Sequence, residues 1–433
     1  MTILTDKFNR QYDKEFGQKG RKIGATCNVR VPPRYLGTFG PALNVEPSAE
    51  QYFPVPILYQ FHVDIQFNTI NMLLDIDEFE ERFIHPACMA VGNRVDSDCA
   101  YFAYQNTANR LGTPGVAPTS YKAFSDARAY LISEGMPKGT IPNAVLHPFA
   151  QSSMADSLKG LYNPQVRVAD IYETGMIAKK TAGADWFEDP NIANYAIGSF
   201  LGSPVLAGVT TAVGGSAILT SGFAQSGVLN LSGLTNSSAA CKVGDTLTIA
   251  GIFPANPQNR GQYTNNLKQF VVLPPGGYSQ MTGVATPGGP QFSPATLAAG
   301  TFAAATGLYT ASGSGTLAVT VADCVITGGQ FQNCVAGAAF TGTPVVVLNA
   351  AATLATNSTE NLYFHRDAVA VATVDLPLPR TAVEASRAYD AELGLSIRIA
   401  TQYTINNDAE PTRLDIAYGF ASLYRGLAAR ISG

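Results

Sequence analysis

Charge is scarce in this sequence: 14% of its 433 residues are Asp, Glu, Lys or Arg, against 46% that are hydrophobic. The two signs nearly cancel, 32 acidic against 28 basic for a net charge of -4. That balance excludes the strong overall attraction to nucleic acid or anionic membrane that a basic protein shows. Cysteine is sparse, six in all, too few for a disulfide scaffold. The start MTILTDKFNRQYDKEFGQKG lacks the apolar core of a secretion signal, so folding in a reducing cytoplasm is expected. Every apolar run is broken by Gly, Ser, Thr, Pro or charge before reaching the roughly eighteen residues of a membrane span. Regular internal repeats and sustained heptads are missing too, which sets aside solenoids and coiled coils.

Patterns that carry chemistry are equally thin. The four histidines, His62, His85, His147 and His365, form no H-x-x-H or H-E-x-x-H pair, and the cysteines form no C-x-x-C. His85 and Cys88 come closest to a ligand pair, but Pro86 stands between them and no second pair completes a site, so a helix junction is the better reading. No G-x-S-x-G elbow, phosphate-binding G-x-x-x-x-G-K-[ST] loop or G-x-G-x-x-G turn is present. The acidic cluster Asp75, Asp77, Glu78, Glu80 and Glu81 suits the first turn of a helix, where carboxylates complement the dipole, or a contact to a neighbour's basic patch. Lys179 and Lys180 read as a solvated strand end, and Cys324 and Cys334, flanking a Gly-rich turn, as free thiols. No catalytic residue, metal or cofactor is expected.

What is present is a chain of unlike segments. Residues 1–22 are polar, with no periodic apolar face, and read as an arm that needs a neighbour to order it. Strand-like residues 24–31 lead into a long Pro/Gly loop. Val55, Ile57, Tyr59, Phe61, Val63, Ile65 and Phe67 then alternate with Gln60, His62, Asp64 and Gln66, predicting one long strand that projects from the body. A helix from Asp77 is followed by a second with Pro86 in its first turn, running to about Leu111. Its stripe of Cys88, Val91, Val95, Cys99, Phe102 and Ala103 predicts packing on a sheet. Beyond it come a helix at 121–134, a strand at 143–147, a helix at 149–162 and strands through Trp186. Between about Ser199 and Ser358 only Lys242, Asp245, Arg260, Lys268 and Asp323 are charged, and short runs such as DTLTIAGI, QFVVL, TLAVTVADCVI and TPVVVLN predict an inserted β-barrel or sandwich. A surface so poor in charge is expected to be covered in an assembly. AVAVATVDL (368–376) is a further strand, and residues 393–420 alternate out and back around NNDAEP as a long hairpin.

Several stretches carry a family resemblance: FNRQYDKEFGQKGRKIGATCNVRVPPRY (8–35), DEFEERFIHPACMAVGNRVDSD with LGTPGVAPT after it, WFEDPNIANYAIG (186–198), VGDTLTIAGIFPANPQNR with LKQFVVL (243–273), and NLYFHRDAVAVATVDLPLP (361–379). In this order and spacing the chain resembles the P-twenty-two-like branch of tailed-phage coat proteins, which share the Hong Kong ninety-seven type capsid fold. The resemblance implies an α+β fold divided into an N-terminal arm (1–22), an extended loop (23–67), a peripheral domain with a spine helix (68–120 and 361–433, part of the latter axial), an axial domain (121–198) and an inserted β domain (199–360). It implies a major capsid protein that assembles in the host cytoplasm into the icosahedral virion shell. Its partners would be itself, as hexamers and pentamers, with a scaffolding protein, a portal, a possible cement protein, and packaged DNA met non-specifically. Arg34, Tyr35, Phe39, Tyr52, Phe53, Glu78, Glu81 and Arg82 are the candidate contacts between subunits. Some capsids of this fold cross-link through a loop lysine. Here no lysine occurs between Lys22 and Lys122, so a non-covalent shell is expected. A surface-layer or adhesin-type β protein is the alternative reading, and it would need a secretion signal.

Overall fold

The computed structural model describes residues 3–9, 26–31, 34–46, 51–57, 59–68, 80–158, 183–192, 194–198, 200–208, 218–219, 226–275, 297, 299–303, 306–323, 325–336, 344–347, 357–380, 382–390, 395–406 and 409–432. In chain order the elements used below are α1 (Ile3–Lys7), β1 (Thr26–Val31), β2 (Gln51–Pro56), β3 (Tyr59–Asn68), α2 (His85–Asn106), β4 (Asn109–Leu111), α3 (Tyr121–Ser133), β5 (Asn143–Leu146), α4 (Pro148–Leu158) and β6 (Asp185–Glu188). After a β-rich segment follow β7 (Asn361–Phe364), β8 (Val369–Val374), β9 (Glu384–Asp390), β10 (Leu395–Thr401), β11 (Ala409–Ser422) and β12 (Ala428–Ile431).

A sheet ordered β8–β11–β10–β9, with β3 also paired to β11, is built mainly from strands between Val369 and Ser422. Its two faces are built from side chains of different size. Val369, Val371, Tyr418 and Phe420 point to α2, which answers with Val91, Val95, Cys99, Phe102 and Ala103. Phe102 stacks on Phe420 at 5.4 Å between ring centroids, and Tyr59 on Tyr418 at 5.7 Å. The alternate residues Ala370, Ala372 and Ala421 are small, and on that side Phe53 and Val55 of β2 pack against them. A period of two thus serves two buried faces.

The long strand expected over 55–67 is therefore two strands. β2 pairs with β1 as an antiparallel hairpin, while β3 runs along β11 from Tyr59 opposite Tyr418 to Asn68 opposite Ala409. Pro54 and Pro56, which lack an amide hydrogen, bracket the end of β2 and favour the break. Along β3 the expected alternation holds, with Gln60, His62, Asp64 and Gln66 exposed.

α2 stops short of Leu111. The side chains of Asn106 and Thr107 donate to the carbonyls of Phe102 and Ala103 at 3.0 and 2.8 Å, capping the helix with bonds that compete with its continuation. Asn109–Leu111 then joins a second sheet, ordered β4–β12–β7–β5–β6. α3, started by the Ser120 side chain accepting from the Lys122 amide, covers that sheet with Phe124, Ala127 and Leu131 over Trp186, Tyr363 and Ile431. Within ENLYF, Asn361–Phe364 is here a buried central strand, and His365 after it accepts the Asp367 amide to cap a short 3-10 turn. Burial lowers the His365 pKa.

The described residues between 202 and 359 include strands in small sheets: 317–322 with 226–234 and 202–208, 269–271 with 246–249 and 345–347, and 239–242 with 308–310 and 301–303. Leu229, Leu231, Leu247, Ile249, Phe270, Leu317, Val319 and Val321 share one core with Tyr104 of α2. Each of the four runs singled out from sequence contains one of these strands: 246–249, 269–271, 317–322 and 345–347. α1 also departs from expectation: Leu4 and Phe8 are buried against α2 and β7 of their own chain. Glu80–Ile84 is a π-helical turn leading into α2, and Glu78, Lys179, Lys180 and Cys324 lie outside the described residues.

Candidate assembly surface

The hairpin β1–β2 ends in a tip, residues 34–46, whose shape is set by one carboxylate. Glu46 accepts the amides of Leu36 and Gly37, each at 2.6 Å, and these bonds hold its pKa below the ordinary value. Gly37 and Gly40 take φ of 69° and 123°, which a side chain would disfavour. The Asn44 side chain donates to Thr38 at 3.0 Å across the closed loop. The tip also rests on the β-rich segment. Arg260 donates to the Tyr35 carbonyl at 3.2 Å, and the Arg34 guanidinium lies 6.0 Å from the Phe331 ring centroid.

The apolar side chains of this tip have no layer over them. Phe39 is fully exposed, Leu43 and Val45 are largely exposed, and Tyr35 and Leu36 are about half exposed. In water such a patch is a standing driving force for association. Sequence reading named Tyr35 and Phe39 but missed Leu36, Leu43 and Val45. It also missed Glu46 and the contact made by Arg260, whose signal would have been a lone charge in a long, sparsely charged segment.

The other expected contact residues divide. Arg34 is at the tip, half-buried against Phe331, and Tyr52 is exposed on the hairpin stem. Phe53 is a correction. It is 8% exposed and packs on Ala370, Ala372, Ala421 and Leu423, because on a strand laid over a sheet every second side chain faces inward. It holds the stem to its own chain. Arg82 is exposed on the turn before α2, far in sequence from the tip, with Glu81 beside it in the chain.

Buried polar contacts fix the β-rich segment to the second sheet. Arg110 pairs with Glu360 at 2.5 Å, both sealed from solvent, and Arg430 donates to Thr246 at 2.6 Å. The Arg110 amide and carbonyl bond both ends of the Gln269 amide group, at 2.5 and 3.1 Å. Tyr195, with the amides of Gly198 and Lys242, donates to buried Asp245. Burial raises the Asp245 pKa, and Tyr195 and the two amides oppose the rise. Further out, Arg425 meets Asp323 at 3.1 Å, and Tyr263 meets Glu134 at 2.8 Å. None of these groups is a nucleophile beside a base. Among the described residues no three His, Cys, Asp or Glu side chains gather as metal ligands, and no helix is long and apolar enough to cross a membrane.

The family described as "P22 coat protein - gene protein 5" matches residues 63–284 and 298–426, most of the chain. No functionally curated protein matches it. Among solved structures, one titled "Mycobacterium phage Che8" is similar at 10% identity and a TM-score of 0.43, covering 99% of this chain and 90% of its own. The capsid of cyanophage P-SCSP1u is similar at 9% identity and 0.41, over 100% and 88%. The mature capsid of bacteriophage PhiM1 follows at 8% and 0.39, over 94% and 81%.

Proposed function

From the premise that this chain belongs to the P22 coat protein family, we propose how its parts divide the work of shell building. The chain is a bacteriophage major capsid protein that self-assembles into the shell and resides in the virion capsid. The hairpin β1–β2 with its tip is the extended loop that lies on an adjacent subunit. α2 and the sheet beneath it form the peripheral domain with its spine helix. The sheet ordered β4–β12–β7–β5–β6, with α3 and α4, belongs to the axial domain at the capsomer centre, and the β-rich segment is the inserted domain. The protein has no catalytic role. Assembly takes place in the host cytoplasm with a scaffolding protein and portal, with or without a cement protein. Packaged DNA meets the inner wall through non-specific phosphate contacts.

One observation carries the assignment of the loop: an apolar tip, closed by Glu46 and propped by Arg260, stands on a stem that the chain itself buries. Such a tip is preorganised to bind. Burying Phe39, Leu43 and Val45 on a neighbour contributes about 1.5–3 kcal/mol each, and a closed shell repeats the contact at every subunit.

Deleting residues 38–45 tests this cleanly, since the Glu46 bonds to Leu36 and Gly37 show that the flanking residues already meet. The deleted protein should unfold at the same urea concentration as the parent yet sediment without shells or capsomers when co-expressed with its scaffold. Normal shells from it would refute the role of the loop. The absence of a loop lysine supports a non-covalent shell, so denaturing gels of mature particles should show single subunits and no cross-linked ladder.

A further inference from the structure

Asp96, in the middle of α2, is 0% exposed, and its two oxygens have different surroundings. Oδ1 accepts the amides of Leu4 and Thr5 at 3.0 and 3.3 Å and the Thr5 hydroxyl at 3.2 Å, so it holds the N-terminal segment. Oδ2 is buried without a donor, and the carboxyl of Asp189, just beyond β6, lies close enough to act on Asp96. Asp189 is 1% exposed. Its Oδ1 accepts the Asn191 amide at 2.8 Å, and its Oδ2 is likewise buried without a donor. A charge on Asp96 is costly in so dry a place beside another acid, and one proton on Asp96, donated to Asp189, gives both orphan oxygens a partner.

The cations on the elements meeting here are engaged elsewhere. On α1, Lys7 pairs with Asp6 at 2.7 Å and lies over the Phe187 ring. On α2, Arg94 pairs with Asp98 at 3.1 Å, and Asp98 also accepts the Tyr418 hydroxyl. β6 itself begins with Asp185 and ends with Glu188, two further acids. Beneath α1, Asp367 takes the Asn9 side chain at 2.7 Å and faces His365 at 3.5 Å. Asp98 thus has a cation, and Asp96 has an acid.

We propose that the Asp96–Asp189 pair is a proton-operated clasp: with one proton shared, residues 3–7 stay docked on α2, and loss of that proton lifts them to let water reach two charged carboxylates. The N-terminal segment is the part that yields, since Asp96 and Asp189 themselves sit on a helix and a strand end fixed in the core. Asn9 is the pivot, held by main-chain bonds to Val369 and Val371 at 3.0 and 2.9 Å. Burial first, and Asp189 second, push the Asp96 pKa up to about 7, so the clasp operates near neutrality. The sign follows from linkage. An unfolded Asp is ionised above about pH 4, so docking takes up a proton between that pH and 7 and weakens as pH rises through the window.

Amide exchange of residues 3–7 in the full-length chain, read by mass spectrometry at pH 6 and pH 8.5 and normalised to intrinsic rates, tests the clasp. The parent should lose protection about tenfold at the higher pH. Asp96→Asn keeps the acceptor for Leu4 and Thr5 and offers its N–H to Asp189, so its protection should match the parent at pH 6 and persist at pH 8.5. Asp189→Asn makes the same bond from the other side and serves if the first variant folds poorly. Equal protection of the parent at both pH values, or variants that titrate as the parent does, would overturn the proposal.

Discussion

Where the chain leaves β2 for β3 it crosses the face of β11, and Gly419 marks the crossing. A Cβ built there would lie 2.0 Å from the Pro56 carbonyl oxygen and 2.9 Å from Pro56 C and Ile57 Cα. Those atoms are backbone, so no rotamer change relieves the overlap. With normal contacts near 3.5 Å, Gly419→Ala must lift the crossing by roughly 1 Å or more. Overpacking alone costs about 1–3 kcal/mol. The lift also draws Phe53 and Val55 away from Ala370, Ala372 and Ala421, each lost methylene contact adding up to ~0.8 kcal/mol. A loss of about 3 kcal/mol is therefore expected in urea unfolding of the monomer, seen as a lower midpoint at unchanged slope. Gly313→Ala is the control: nothing lies within 4 Å of its Cβ position and its backbone is outside the left-handed region, so it should change stability by less than about 0.5 kcal/mol. If Gly419→Ala proved as stable as Gly313→Ala, the stem would not be clamped as described, and the argument for a fixed loop would go with it.

Phe53→Ala should lower monomer stability by about 3–5 kcal/mol in the same assay, whereas Tyr52→Ala, one residue away on the exposed face, should cost less than about 1 kcal/mol; equal effects would contradict the placement of β2. Glu360→Gln leaves the buried guanidiniums of Arg110 and Arg430 with one carboxylate fewer, so a loss of about 3–5 kcal/mol is expected. Unchanged unfolding would show that the junction is not held by charge.

Much of this architecture is legible in the residues, for reasons that also set the limits. Alternation in AVAVATV and in 395–401 marks strands, and the 3.6-residue stripe from Val91 to Ala103 marks the helix that covers them. The strand Glu384–Asp390 went unread, because an edge strand exposed on both sides carries no apolar alternation. The split between β2 and β3 was hidden because the two strands keep one shared period of two while packing on different faces. The contact tip shows the same limit. Aromatic residues in a Pro/Gly loop point to a surface, but which of Tyr52, Phe53 and Phe39 faces outward depends on how the stem lies, and only the fold decides that. The Asp96–Asp189 pair joins residues almost a hundred positions apart that no local pattern connects.

The clamped stem and propped tip bear directly on how a weak contact can build a shell. Fixing the backbone of a mobile residue costs roughly 1–2 kcal/mol, so ordering all of residues 34–46 upon docking would cost about 13–26 kcal/mol. The three most exposed apolar side chains of the tip return only about 5–9 kcal/mol when buried. A floppy loop of this sequence would therefore lose more than it gained at each contact. Glu46, Arg260 and the Phe53–Val55 stem meet that ordering cost during folding, leaving most of the apolar gain for association. It follows that Glu46→Ala should weaken assembly more than Leu43→Ala, although Glu46 need touch no neighbour. The check is the critical concentration for shell formation by light scattering, and the reverse order would show that contact area, rather than preorganisation, sets the strength of the loop.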